Sequence, residues 1–217
     1  MKTTAILAGL FAAALVAPAF AQAPPAPAGA PRAAPPPFVA ITDPAKVQGG
    51  TYVIEPQHTR VMFGVSHKQF TTFYGEFREL TGTLNLDVKN PAASTFELTV
   101  PVKTISTQVT KLDEELRHKP WLDGDTWPTI TFKSTSVKVT GPGTADVTGD
   151  FSFHGVTKPL TLHVKFNAAG DDPNDHYYVA GFSVTGEFNR SDWNFKTGVP
   201  MIGDHIALNI QAAWKKP

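Results

Sequence analysis

The chain has 217 residues with 19 basic and 19 acidic side chains, and it contains no cysteine. The balanced charge leaves no basic face for nucleic acid, so we expect no nucleic-acid partner. The lack of cysteine excludes disulfide bonds and a lipid anchor attached through cysteine. A folded domain must therefore be stabilised by its apolar core alone.

Residues 1–21 have the pattern of a secretion signal peptide. Lys2 gives a positive start, residues 5–16 form an apolar stretch, and residues 19–21 are Ala-Phe-Ala, a small-x-small cleavage pattern. The apolar stretch is shorter than the ~20 residues that cross a bilayer, so we expect no transmembrane segment in the mature form. The sequence thus predicts a periplasmic protein that is cleaved after Ala21.

Residues 22–49 are expected to form a disordered tether. From Pro24 to Pro37 the chain consists mainly of proline and alanine, and such a composition cannot bury enough apolar surface to fold. An inert spacer and a proline-rich segment that binds a partner are both compatible with it. The folded domain is predicted to span residues 50–217, which is long enough for one core.

Apolar and polar residues alternate in short runs from Thr51 to the end of the chain, with turn residues between the runs. The clearest run is residues 160–166, and the sequence Gly-Pro-Gly at 141–143 marks a turn. The pattern predicts an all-β domain of eight to ten antiparallel strands. A barrel of ~8 strands can be filled by side chains or hold one small ligand, and periodicity does not choose between these.

One short helix is predicted from Val109 to Lys119, ended by Pro120. Its apolar face is expected to contain Val109, Leu112 and Leu116. Charge pairs four residues apart are expected on the other face, Asp113 with Arg117 and Glu114 with His118, and Thr110 with Asp113 resembles a capping box. Such a short helix is marginal alone, so we expect it to pack across one end of a barrel.

The sequence contains no motif that would mark a catalytic or cofactor site. Its seven histidines lack the close spacing of metal ligands, and there is no nucleophile elbow, P-loop or dinucleotide fingerprint. We therefore expect no metal, no cofactor and no enzymatic activity.

Two polar residues are candidates for contact with a ligand head group. His67 continues the inward phase of the run Val61, Phe63 and Val65. For Arg190 two roles stay open, an ion pair with Asp192 or a contact with a phosphate or carboxylate head group.

A set of short motifs follows in fixed order from Thr51 to Trp214. They include Val61-x-Phe63-x-Val65-x-His67, Ile105-Ser106-Thr107, Pro128-x-Ile130-x-Phe132, Gly155-Val156-Thr157-Lys158-Pro159 and Arg190-Ser191-Asp192. With these motifs in this order, the chain resembles the YceI-like family of secreted lipid-binding proteins. Two departures are Thr59, where the family has serine, and Trp193-Asn194, where an aromatic residue and glycine are commoner.

The resemblance implies an extended lipocalin-like fold, an eight-stranded antiparallel barrel with one short helix around an elongated apolar tunnel. It also implies a long-chain amphiphilic lipid as ligand, such as a polyisoprenoid, a quinone tail, or a fatty acid or amide. The residues expected to contact the ligand are Phe63, Val65, His67, Phe96, Leu98, Ile105, Leu112, Leu116, Trp121, Ile130, Phe132, Phe153, Phe182 and Arg190.

Three functions follow from the sequence, and the first is preferred. It is a periplasmic carrier or sequestering protein for a long-chain amphiphile. The second is an enzyme acting on an isoprenoid lipid, with His67 or His154 as base. The third is a solid-cored interaction protein that binds through its tether and outer strands. The sequence leaves open the ligand's chain length and head group, and whether the protein forms a homodimer.

Overall fold

The computed structural model describes residues 39–217. The predicted signal peptide and most of the predicted tether lie outside these residues. The strands are β1 (Gly50–Ile54), β2 (Arg60–His67), β3 (Thr71–Phe77), β4 (Thr81–Leu86), β5 (Thr95–Pro101), β6 (Thr129–Gly141), β7 (Thr144–Phe153), β8 (Val156–Asp171), β9 (Tyr178–Asn189) and β10 (Ile202–Lys215). The helix α1 spans Thr110–Arg117, and short 3-10 turns lie at Pro44–Lys46, Pro91–Ala93, Val102–Thr104 and Arg190–Trp193.

The strands form a closed antiparallel barrel. β1 pairs with β4 and β10, and the order β4-β5-β6-β7-β8-β9-β10 completes a ring of eight strands. β2 and β3 extend this ring, because β2 pairs with residues 202–211 of β10 while β1 pairs with residues 214–215. β1 and β2 are therefore one interrupted strand, and β3 with β4 is another. The predicted eight-stranded barrel with one helix is confirmed.

Buried polar groups fix the interruption between β1 and β2. The Glu55 carboxylate is 4% exposed and accepts hydrogen bonds from the backbone N–H groups of Gln57 (2.9 Å) and His58 (2.8 Å). The Nδ1 atom of His58 lies 2.7 Å from the same carboxylate. Thr59 donates to the Ala213 carbonyl and accepts from the Ala213 N–H, which ties the break to β10.

The helix is shorter than predicted, and its polar contacts differ from those expected. The Asp113 carboxylate accepts from the N–H (2.6 Å) and Oγ1 (2.7 Å) of Thr107, so the capping box with Thr110 is wrong. The charge pairs four residues apart are also wrong, because Arg117 pairs with Glu114 and His118 with Asp125. Val109 precedes the helix and is 49% exposed, so it does not belong to the apolar face.

The segment before β1 packs on the barrel, which corrects the predicted start of the folded domain. Ile41 exchanges two backbone hydrogen bonds with Ala169, and Val47 is 6% exposed. The Tyr52 hydroxyl donates to the Gln48 carbonyl, and burial raises the pKa of Tyr52 to about 12. The folded domain therefore includes residues 41–49, although no periodic pattern marks this segment.

The departure at Trp193-Asn194 keeps the turn of the motif. Asn194 has φ 60°, in the left-handed region that glycine favours and asparagine tolerates. The Trp193 indole N–H donates to the Phe151 carbonyl at 3.0 Å, and its ring meets the ring of Phe151 at 5.4 Å. The larger aromatic residue thus anchors the turn to the core.

We predict that Glu55→Gln destabilises the protein in a pH-dependent way. Burial alone would raise the pKa of Glu55, but the hydrogen bonds from Gln57 and His58 outweigh it and lower the pKa below 4.5. The stabilisation is therefore present above pH ~4.5 and is lost as the pH falls through the lowered pKa. Urea unfolding should show a loss of roughly 1.5–3 kcal/mol at pH 7 that shrinks towards pH 2.5. An equal loss at both pH values would contradict this account.

We also predict that residues 39–47 contribute to stability. A chain that starts at residue 48 loses the burial of Val47, worth about 2 kcal/mol, which corresponds to a melting temperature lower by roughly 4–8 °C. A chain that starts at residue 39 serves as the control and should melt like the mature protein. Equal melting temperatures for all three chains would show that the segment's contacts are energetically neutral.

Candidate functional site

The barrel encloses a cavity of about 760 Å³. Its walls are almost entirely apolar. Alternate side chains of each strand point inward, and the apolar residues occupy these inward positions. The volume lies within the range of about 300–1,000 Å³ that is usual for small-molecule sites. The cavity therefore speaks against the third alternative, a solid-cored interaction protein.

All of the residues predicted to contact a ligand line this cavity. They are Phe63, Val65, His67, Phe96, Leu98, Ile105, Leu112, Leu116, Trp121, Ile130, Phe132, Phe153, Phe182 and Arg190. Their contact with a ligand remains a prediction. Further lining residues that were not singled out include Phe73, Phe166, Phe188, Phe195 and Trp214. The alternation of Phe166 and Phe188 with polar neighbours could have identified both.

The two ends of the cavity differ. At the end that we call the mouth, the rim is formed by the turns at Pro44–Lys46, Pro91–Ala93 and residues 141–143. Several lining residues there are exposed to solvent, among them Ala45, Pro91, Thr95, Val139 and Pro142. The cavity therefore opens to solvent at the mouth.

The opposite end, which we call the closed end, is covered by α1 and the loops beside it. Leu112 and Leu116 of α1 face the cavity, followed by Trp121 and Leu122. The Trp121 ring meets the Phe195 ring edge-on at 6.4 Å. In the described part of the chain, the lining residues that this cover contributes are buried or half-buried.

His154 holds this cover in place. A carbonyl only accepts, so the 3.1 Å contact between its Nε2 atom and the Trp121 carbonyl makes Nε2 the protonated nitrogen. Its Nδ1 atom is buried without a partner among the described residues, and burial lowers the pKa of His154. The ring also packs 4.1 Å from the Trp127 ring. His154 thus donates to a backbone carbonyl of the cover. This contact argues against a role of His154 as catalytic base.

The turn that carries His154 requires glycine at its second position. His154 has φ 49° and Gly155 has φ 78°. A Cβ atom on Gly155 would lie 2.5 Å from the Trp127 Nε1 atom, closer than atoms approach in proteins. The motif Gly155-Val156-Thr157-Lys158-Pro159 therefore begins with a residue that lets the β7–β8 turn pack on Trp127.

Arg190 is buried at the closed end, with 1% exposure. Its Nε, Nη1 and Nη2 atoms donate to the carbonyls of Gly203 (2.8 Å), Phe195 (3.1 Å) and Ile202 (2.9 Å). Its guanidinium carbon lies 4.8 Å from the centre of the Phe195 ring. Burial lowers the pKa of Arg190, and the negative charge of Asp204 partly opposes this effect.

The ion pair of Arg190 with Asp192 is not formed. The acidic residue that the motif positions is Asp204, which accepts from the Ser191 N–H (2.8 Å) and Oγ (2.6 Å). Arg190 thus ties the β9–β10 loop to the start of β10 through three carbonyls, while its side chain still lines the cavity. His67 lines the cavity as well. It is the last residue of β2 and pairs with Ile202 of β10.

Two other kinds of feature are relevant in the described residues, metal-binding clusters and membrane-spanning helices. Residues 39–217 contain no group of three or more histidine, cysteine or carboxylate side chains that could hold a metal ion. In the same range, no helix is long and apolar enough to cross a membrane.

The chain belongs to the YceI-like family, whose domain model matches residues 52–214. Protein YceI of Escherichia coli O6:H1 is 38% identical over 156 residues, which cover 72% of this chain and 81% of that protein. The crystal structure of Burkholderia cenocepacia BcnA matches with a TM-score of 0.67 at 18% identity, covering 74% of this chain and 98% of that one. This confirms the family inferred from the sequence motifs.

A further structural relative is a polyisoprenoid binding domain from Saccharophagus degradans. It matches with a TM-score of 0.56 at 13% identity, covering 78% of this chain and 100% of that one. At such low identity these two structural matches establish a shared fold.

We predict that Phe132→Ala and Phe182→Ala have different effects although both residues line the cavity. Phe132 is 5% exposed and stacks on Phe96 at 5.1 Å, so its truncation should cost roughly 3–5 kcal/mol of unfolding free energy. Phe182 is half-buried, so its truncation should cost less stability and more ligand affinity. Chemical unfolding and lipid titration measure the two effects. The account of the cavity wall fails if both variants lose stability and affinity in the same proportion.

Proposed function

We propose that this protein is a periplasmic carrier or sequestering protein that holds one long-chain amphiphile, preferentially a polyisoprenoid, inside its barrel. The observation that carries this proposal is the continuous apolar wall of the cavity, which is open at the mouth and covered by α1 at the closed end. The family membership and the polyisoprenoid binding domain of Saccharophagus degradans support the ligand class. The signal pattern at residues 1–21 supports the compartment.

Apolar contacts alone are sufficient for tight binding of such a chain. Burying roughly 30 apolar carbons at ~0.8 kcal/mol each gives ~24 kcal/mol before costs. This exceeds the practical affinity limit of ~18–21 kcal/mol, so binding stays tight after the losses for ordering the chain and the protein. The ligand therefore needs no charged partner in the barrel.

We further propose that the chain enters tail first, with its head group at the mouth. Ser94, Thr95 and Thr144 line the cavity near the mouth and offer hydroxyl groups next to solvent. At the closed end, three guanidinium N–H groups of Arg190 are already bonded to carbonyls. A charged head group would lose its hydration there with little replacement. His67 and Arg190 would then contact the tail.

Native mass spectrometry of protein freshly purified from the periplasm tests the proposal. We expect an adduct with the mass of one amphiphile, recovered chemically unchanged on extraction. Ala212 lines the cavity, so Ala212→Trp fills it without altering the outer surface and should purify without the adduct. If the parent protein stays empty and takes up no prenyl lipid, the proposal is wrong. Conversion of the bound lipid would favour an enzyme.

We predict that the apolar contacts of α1 retain the ligand. Replacing Leu112 and Leu116 together by serine admits water to the closed end, and lipid release should become faster. Overall stability should change less than with an inward strand residue, because a short helix belongs to the weakly protected part of a fold. Val109→Ser, at the exposed residue that precedes α1, is the matched control. Release rates equal to the parent in the folded double variant would show that α1 only supports the wall.

A further inference from the structure

The outer edge of β3 is a strand edge that has no partner strand over most of its length. Glu76 exchanges two backbone hydrogen bonds with Ser106, both 2.9 Å long, on the side of β3 that faces away from β2. In an antiparallel strand, residues that bond to one side alternate with residues that bond to the other. The N–H and C=O groups of Thr72 and Tyr74 therefore also face away from β2. No other described residue forms a hydrogen bond with these groups.

The free edge is short, because the chain turns away at both of its ends. A strand that continued beyond Ser106 would place Gln108 opposite Tyr74, but Gln108 has φ 64° and the chain continues into α1 instead. At the other end, residues 68–69 have φ 52° and 61° and form the turn from β2. The free edge therefore consists of residues 71–75.

This edge lacks the features that keep natural edge strands from pairing with another chain. Lysine, proline and bulges usually protect such edges. Residues 71–75 read Thr-Thr-Phe-Tyr-Gly, without charge or proline, and β3 pairs with β2 without a register shift. Threonine, phenylalanine and tyrosine also favour strands. Tyr74 is 69% exposed, and Phe70 just before the strand is 84% exposed. An uncharged, exposed edge of this kind fits another strand.

A second copy of the same edge fits these groups. When two copies run antiparallel with their Phe73 residues opposite each other, Thr72 of each copy lies opposite Tyr74 of the other. Each of these pairs can exchange two hydrogen bonds, so every free N–H and C=O group of residues 72 and 74 finds a partner. The free edge of each copy is then covered over its full length, because residues 71 and 75 also lie opposite each other.

Other registers leave groups without a partner. A shift of two residues in one direction pairs Glu76, whose outward groups are already bonded to Ser106. A shift in the other direction pairs Phe70, whose N–H is bonded to the His67 carbonyl at 3.0 Å. The symmetric register centred on Phe73 is therefore favoured.

Exposed aromatic side chains flank this edge, and the same pairing covers them. Phe70 lies two residues before Thr72 and is therefore diagonal to Tyr74 of the other copy, within reach of an aromatic ring. A short strand contact is small compared with the roughly 1,200–2,000 Å² that stable interfaces bury. The two rings therefore have to contribute to the contact, and the association is expected to be weak.

The predicted tether is the other part of the chain that could add a strand to this edge. Proline recurs from Pro24 to Pro37, and a proline has no N–H to donate to a strand. The tether therefore fits this edge less well than β3 of a second copy.

We propose that the protein forms a symmetric dimer in which β3 of one copy pairs antiparallel with β3 of a second copy. Such a contact uses the same surface on both copies, as expected for a two-fold dimer. It brings the two closed ends side by side, and the antiparallel strands direct the two mouths away from each other. Both mouths stay open, so the dimer goes beyond the proposed function and either proposal can fail alone.

Analytical ultracentrifugation of the mature protein over a range of concentrations tests the dimer. We expect a monomer–dimer equilibrium in the micromolar range, because the contact is small. Thr72→Lys with Tyr74→Lys puts like charges opposite each other in the proposed register and should weaken association by roughly tenfold or more. Thr72→Lys with Tyr74→Glu is the matched control, because opposite charges then face each other across the two-fold axis. It should associate roughly tenfold more tightly than the first variant.

Hydrogen exchange locates the contact on β3. The amide groups of Thr72 and Tyr74 should exchange more slowly as the protein concentration rises. The amide of Phe73 bonds to β2 and should show no such dependence. The proposal is overturned if the parent stays monomeric, or if the two double variants associate equally. It is also overturned if exchange at Thr72 and Tyr74 does not depend on concentration, because the dimer would then use another surface.

Discussion

The closure of the strand ring by β1 on β10 is the constraint on which the cavity depends. Two residue pairs make this contact, Val53 with Lys215 and Ile54 with Trp214. Because the ring is closed, the backbone groups of the wall find partners within the sheet, and alternate side chains must point inward. The inward side chains leave about 760 Å³ unfilled, and α1 with the loops beside it covers one end.

Buried polar groups serve the backbone rather than the cavity. Glu55 accepts from N–H groups where the first strand is interrupted, and Asp113 accepts from Thr107 before α1. Arg190 donates to the Phe195 carbonyl in the β9–β10 loop and to the Ile202 and Gly203 carbonyls at the start of β10. These charges fix the breaks and loops that a long barrel requires. As a result, the cavity wall offers a ligand mainly apolar contacts.

Strand alternation is sufficient to predict which residues line the cavity. Phe63, Phe132 and Phe182 can be assigned from the two-residue period, because side-chain direction in a strand follows that period. Periodicity does not give the strand number, since an interruption such as that at Glu55 leaves the alternation unchanged. The number eight comes from the family resemblance instead.

Contacts between loops are not predictable from the sequence in the same way. Val47 is buried only because other strands form the mouth on which it packs. A single apolar residue shows no periodicity, so the sequence gives no sign of this burial. Asp113 and Arg190 each have acidic or basic neighbours in the sequence that suggest local pairs. Their partners are backbone and hydroxyl groups of loops that only the folded barrel brings close. The positions of the cavity residues and the place of α1 across one end could therefore be predicted, while the hydrogen bonds that hold the loops of the closed end could not.

The central claim is that an apolar chain fills the cavity tail first and reaches the closed end. Tryptophan fluorescence with two amphiphiles tests it, one brominated at the terminal carbon and one beside the head group, because bromine quenches a nearby indole. Trp121 lines the closed end. The account predicts strong quenching by the terminal bromine, most of which disappears in Trp121→Phe. Quenching of Trp121 that is stronger with bromine beside the head group, or unchanged quenching in Trp121→Phe, would contradict it.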